Sequence, residues 1–175
     1  MPLKNIKMKK DCKNVLDDIS IAAPCAFFDG AEQNNICGCG VHIIMDDNLQ
    51  YFLSWNGGIG SNSMVEARAL AGLLAFCVFF DIQSISIYGD SKSMIDHVSG
   101  VCHISCPHLS GWLNRVMYFW SNMKQRSIHH IPRSLNDQAD HLSKKGLSME
   151  PGSWSLMISD DDFSCLIQDF FIPRI

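Results

Sequence analysis

No stretch of this chain shows an uninterrupted run of the roughly 18 apolar residues that a membrane-spanning helix needs. The longest candidate, Ala67 to Phe80, is broken by Arg68 and reads as a buried helix of a globular core. No apolar core follows the five lysines of Met1 to Lys13, which excludes a secretory signal. The chain is therefore expected inside the cell, with no membrane partner; nucleus and cytoplasm are not separated. Matched C-x-x-C pairs are missing too: Cys37-x-Cys39 and Cys102-x3-Cys106 do not have the spacing of a structural zinc site. Cys102, His103, Cys106 and His108 are read as a loop rather than a ligand set, and the eight cysteines as reduced thiols. Histidine-glutamate zinc motifs, a nucleophile elbow and a phosphate-binding glycine loop with lysine are all missing. So are internal repeats and low-complexity tracts.

What is present is one domain's worth of globular sequence: 175 residues, 47% hydrophobic and 18% charged. The net charge of −4 does not advertise a polyanion partner. Residues 1–20 read as a flexible lysine-rich leader, 21–148 as the folded domain and 149–175 as a C-terminal extension whose apolar clusters, at Trp154 and Phe170-Phe171, show no clear period. Within the domain, Ala22 to Asp29 predicts a first strand ending in a glycine turn. Asn34-Asn35 and Asp46-Asp47-Asn48 are turn signals that fold Cys37 to Met45 and Leu49 to Trp55 into an antiparallel meander.

Beyond Gly60 the period changes. Val65, Ala69, Leu73, Phe76 and Phe80 fall at helical spacing behind an N-cap assigned to Ser63. A strand over Ser84 to Tyr88, a helix from Ser91 to Val98 and an aromatic helix from Leu109 to Lys124 follow. Ser127 to Ile131 is the last strand, and a helix from Asn136 to Lys145 is stopped by Gly146. This order predicts an α/β fold with a mixed sheet and helices on both faces, its ligand site outside the carboxyl ends of the strands.

Four acids stand at element edges near that end: Asp29, Glu66, Asp90 and Asp140. Four carboxylates brought to one point repel each other unless cations neutralise them, and hard divalent ions take oxygen ligands. Each acid also has an ordinary reading. Asp29 before Gly30 is a common turn pair, and Ser63-x-x-Glu66 is a capping box in its own right.

Taken together, Phe28-Asp29-Gly30, Ser61-Asn62-Ser63-x-x-Glu66, Gly89-Asp90-Ser91, His130 and Asn136-x-x-Ala139-Asp140-x-Leu142 resemble type 1 ribonuclease H, over about Ala23 to Leu147. More narrowly they resemble the ribonuclease H domains of plant retrotransposon-derived proteins. The resemblance implies a ribonuclease H-like three-layer fold with a five-stranded mixed sheet. It also implies a monomeric endonuclease that hydrolyses the RNA strand of RNA–DNA hybrids with two Mg²⁺ ions, for which Mn²⁺ substitutes. Asp29, Glu66, Asp90 and Asp140 would be metal ligands and catalytic residues. His130 would assist proton transfer or product release, or is a plain strand-end histidine. Gly30, Ser61, Asn62 and Ser91 match substrate-binding positions; Asn62 is equally a turn residue. The short span from Asp90 to His130 leaves little room for the basic protrusion with which some members grip hybrid. Ser63 and Lys92 also depart from the usual pattern, Lys92 as a phosphate contact or a neutralising charge for the acids. An alternative is a retroelement-derived nucleic-acid-binding or interaction domain that keeps the fold with little or no turnover.

Overall fold

Asn34 and Asn35 adopt positive φ angles of 53° and 62°, the conformation a two-residue hairpin turn demands and one that asparagine tolerates. They join β1 (Cys25–Gln33) to β2 (Ile36–Ile44), antiparallel from Cys25↔Ile44 to Gln33↔Ile36. The structure, a computed structural model, describes residues 21–159 and 164–168; the lysine-rich stretch 1–20 and Phe170-Phe171 lie outside them. The meander closes with β3 (Gln50–Ile59), its turn fixed by Asp46 Oδ1 accepting from the backbone N–H groups of Asn48 and Leu49.

Next come α1 (Asn62–Phe79), β4 (Ser84–Gly89), α2 (Lys92–Val98), α3 (Ser110–Ser121), β5 (Gln125–His130), a 3₁₀ turn (Arg133–Leu135), α4 (Asp137–Leu147), β6 (Trp154–Ser159) and β7 (Ser164–Gln168). The sheet order is β5-β4-β1-β2-β3-β6-β7, with β4 parallel to both β1 and β5 and the other pairs antiparallel.

The expected α/β architecture is there, with two additions and several shifted boundaries. Among the described residues the sheet has seven strands rather than five, because 154–159 and 164–168 extend it beyond β3. Trp154 pairs opposite Trp55 and stacks on it at 4.0 Å, a cross-strand partnership that no local period announces. β1 runs four residues past Asp29, so Gly30 lies inside a strand and not in a turn. Its α-carbon passes so close to α1 that a side chain there would start 2.8 Å from the Val65 backbone.

The N-cap of α1 is Ser61 rather than Ser63, its hydroxyl accepting from Met64 N–H, so Glu66 is not part of a capping box. Gly146 does not stop α4 but lies within it against the Trp55 carbonyl. Lys92 pairs with Asp96 at 2.6 Å and not with the acidic residues near the strand ends.

Two faces of β2 sort the layers. Cys39 points to α1, its thiol 3.9 Å from the Val65 carbonyl. Gly38 and Gly40 point the other way, where α4 lies directly on the backbone: a side chain on Gly40 would start 2.3 Å from Ala139 O and Ser143 N. α1, which holds most of the Ala67 to Phe80 stretch read as a buried helix, has the length and the mean hydropathy, 1.4, of a membrane-crossing helix although Glu66 and Arg68 interrupt it. It is nevertheless two-thirds buried in this fold, with every residue from Ala67 to Cys77 inside the core.

On the α4 face five rings from five successive strands form one stacked row. His129, Tyr88, Phe27, His42 and Phe52 are separated in turn by 5.2, 5.5, 6.0 and 4.6 Å. His42 is wholly buried there with its Nε2 2.8 Å from Gln50 Oε1, and burial pushes its pKa down to about 4, so the ring is neutral at physiological pH.

Candidate metal centre

The parallel pairing of β1 and β4 ends at Phe27↔Tyr88. Two residues further along each strand direction stand Asp29 and Asp90, on either side of the gap that opens there. α1 lies across the sheet with Glu66 one helical turn from its start. The result is a group of three carboxylates whose nearest ligand oxygens all lie within 4.8 Å of one another. Among the described residues, no other set of histidine, cysteine or acidic side chains gathers so closely.

The burial of Asp29 and Glu66 shows in their proton affinities. Asp29, only 6% exposed, is raised to about 6, by desolvation first, and then by the charges of Asp90 and Asp140, against a lowering hydrogen bond from Ser143. Glu66 is raised further, to about 9, again by desolvation first and then by Asp29 and Asp90. The Gly30 backbone N–H bonds to the Glu66 carboxylate, yet Glu66 Oε2 is buried with no hydrogen-bond partner. A carboxyl with an unpartnered buried oxygen, gathered with two others, is the donor set a hard divalent cation takes, so these residues fit such an ion.

Asp140 is placed differently. It lines the same cavity, of about 890 Å³, but both its oxygens are taken: Oδ1 by Arg133 Nη2 at 3.1 Å and Oδ2 by Lys144 Nζ at 2.5 Å. Burial would raise the Asp140 carboxyl, but these two bonds outweigh it and hold the pKa below the usual value. The structure thus brings three of the four expected carboxylates into one cluster and ties the fourth to cations at its rim.

Of the other residues singled out in the sequence, Gly30, Asn62 and Ser91 line the cavity. Ser61 is not among its lining residues; its hydroxyl caps α1. His130 ends β5, exposed and likewise not among the lining residues. Three side chains carry more of the site than their sequence signal suggests. Ser143 Oγ lies 2.7 Å from Asp29 Oδ2, and Asn136 Nδ2 donates to the Phe28 carbonyl at 2.9 Å and reaches Asp90 Oδ1 at 3.5 Å. Arg133 presents a largely exposed guanidinium to the cavity. Spacing from Asp140 is the one signal that could have found Ser143 and Lys144, which sit three and four residues on along the same helix.

The sequence profile of the reverse transcriptase-like family matches residues 27–146, which span the meander, α1 and every element that delivers an acid. The chain belongs to this family. A ribonuclease HI of Halobacterium salinarum is 26% identical over 125 residues, and the chain spans 63% of that relative's length and matches it with 70% of its own. The crystal structure of the ribonuclease H1 from that archaeon superposes with a TM-score of 0.64 at 26% identity, covering 70% of this chain and 96% of the other. At 22% identity, a compost-derived ribonuclease H1 solved with an RNA/DNA hybrid shares the fold with a TM-score of 0.63, over 70% of this chain and 95% of the other. The N-terminal RNase H domain of a Mycobacterium tuberculosis protein shares it at 20% identity and 0.62, over 71% and 99%. The domain is thus of the type 1 ribonuclease H kind.

Proposed function

We propose that this reverse transcriptase-like domain is a divalent-metal-dependent endonuclease that hydrolyses the RNA strand of RNA–DNA hybrids. The observation that carries the reading is the triad of buried Asp29 with half-buried Glu66 and Asp90, and its orphaned Glu66 oxygen, inside an open polar cavity. Asp29, Glu66 and Asp90 would hold Mg²⁺ or Mn²⁺, with Asp140 completing a second ion's shell once released from Arg133 and Lys144. The bound ions supply Lewis-acid polarisation of the phosphoryl group and a water of lowered pKa.

The chain's own side chains do the rest. The Gly30 N–H fixes Glu66, and Asn136 ties the end of β4 to β1, so the acids are held before substrate arrives. Asn62 and Ser91 face the cavity with groups that hydrogen-bond a nucleic-acid backbone, or the 2′-hydroxyls that mark RNA. Arg133, whose charge acts on Asp29 and Glu66, lines the cavity and would offer a cation to a substrate phosphate; the exposed His130 is not among the lining residues.

One observation favours a second reading, a binding domain with little turnover: Asp140 is fully engaged by its two cations. Incubation of labelled hybrid with the chain in Mg²⁺, beside duplex DNA, duplex RNA and single strands, separates the two. Cleavage confined to the RNA strand of the hybrid is expected, falling about 100-fold or more in Asp29→Asn. Binding without cleavage in either Mg²⁺ or Mn²⁺ refutes the nuclease reading.

A further inference from the structure

We propose that Ser143 is a positioning residue for Asp29, its hydroxyl fixing the orientation in which Asp29 offers its remaining lone pairs to a divalent cation. The inference rests on the metal reading above and names a residue that reading does not use.

The packing of α4 explains how Ser143 gets there. Gly38 and Gly40 remove two side chains from one face of β2, and α4 descends onto bare backbone. A side chain on Gly40 would meet Ser143 N at 2.3 Å, and one on Gly38 would meet Ser143 O at 2.2 Å. Asp29 is the residue paired opposite Gly40 on β1, on the same face of the sheet. The helix segment centred on Ser143 is thus set down beside Asp29, and Oγ comes to 2.7 Å from Asp29 Oδ2. Both partners are out of water, Ser143 at 0% exposure and Asp29 at 6%.

A serine within a helix has an ordinary alternative, which is to bond back to its own turn. Ser143 Oγ is also 2.8 Å from the Asp140 carbonyl. The hydroxyl has one proton, so it donates to one acceptor at a time. A carboxylate is the stronger acceptor, because a charge-assisted bond is roughly twice as strong as a neutral one. With Oδ2 held in this way, the Asp29 carboxylate cannot turn freely about its terminal bond. An outer partner that fixes a ligand carboxylate typically changes metal affinity or activity by about 10–100-fold when removed.

The test compares Ser143→Thr with Ser143→Val in the full chain, since the two have the same shape and differ in the hydroxyl. Mn²⁺ alone is titrated, followed by calorimetry and by its electron paramagnetic resonance signal. Expected is a dissociation constant raised about 10-fold or more in Ser143→Val and kept within about twofold by Ser143→Thr, with equal melting temperatures for the two metal-free variants. Ser143→Ala adds no bulk against Gly38 and Gly40 and is expected to follow Ser143→Val if the branched variants fail to fold. Wild-type Mn²⁺ affinity in Ser143→Val or Ser143→Ala would overturn the assignment and leave the metal reading intact. A wild-type chain that takes up no Mn²⁺ would overturn both.

Discussion

Replacing Glu66 by glutamine is expected to make the metal-free chain more stable at neutral pH while destroying its function. Burial, then the charges of Asp29 and Asp90, raises the Glu66 carboxyl from 4.5 to about 9 in the folded state. An unfolded chain releases the same proton near the ordinary glutamate value. Between those two limits the folded state holds the extra proton, so stability is fully present below about pH 4.5 and is lost as pH rises toward 9. At pH 7 the folded chain must take up a proton that the unfolded chain has released. That costs about 3 kcal/mol at 1.4 kcal/mol per pH unit, or about 2 kcal/mol after allowing for partial solvent contact. Glutamine has no proton to acquire and still accepts the Gly30 N–H. Urea unfolding in EDTA at pH 7 is expected to show Glu66→Gln more stable by about 2 kcal/mol, or roughly 4–8 °C in melting temperature. The gain should vanish near pH 5 and grow toward pH 9. Saturating Mg²⁺ should stabilise the wild type alone, by about 2.7 kcal/mol at a hundredfold excess over its dissociation constant. Parallel pH–stability curves for the two proteins in EDTA would refute the reasoning, since they would mean Glu66 is ionised in the folded state.

Further expectations follow from packing and placement. Gly40→Ala forces a methyl group into the α4 backbone and should cost at least about 3 kcal/mol with loss of metal affinity, read by denaturation and Mn²⁺ titration. Trp154→Ala removes the stack on Trp55 and should cost about 2 kcal/mol in a single unfolding transition; two transitions would show that β6 is not part of the same cooperative unit. Arg133→Ala should slow hybrid cleavage more than His130→Ala, because Arg133 faces the cavity; the reverse order in steady-state kinetics would return His130 to the site.

The sequence makes the meander visible because asparagine and aspartate at its two turns act locally. The same holds for α1, whose apolar residues recur at helical spacing. Asp29-Gly30 misleads for a similar reason: the pair is a turn signal by itself, and only pairing opposite Gly40 and Cys39 carries the strand onward. Gly146 looks like a helix stop but is needed where α4 crosses the Trp55 carbonyl. The C-terminal strands depend on a free β3 edge that no short window contains. In the site, the acids could be picked out because carboxylates at element edges are costly. The residues that hold them are less visible: Ser143 has only its spacing from Asp140, and Asn136 its place in the Asn136-x-x-Ala139-Asp140 pattern, until α4 lies against β1 and β2 and shows what each one touches. Lys144 is a local partner of Asp140, four residues on along α4, whereas Arg133 reaches it only because of where the 3₁₀ turn leads the chain.

The row of five rings bears on the acids it does not touch. Phe27 is two residues before Asp29, and Tyr88 two before Asp90. The rings therefore act as a vernier between strands, aligning parallel and antiparallel neighbours on a common mark just below the carboxylates. A slip of one residue in β1 would move Asp29 by about 3.3 Å and turn it to the opposite face, away from Asp90. Aliphatic replacements in the row would preserve apolar burial while blurring that mark, so the fidelity of the carboxylate cluster is set one layer below the residues that form it.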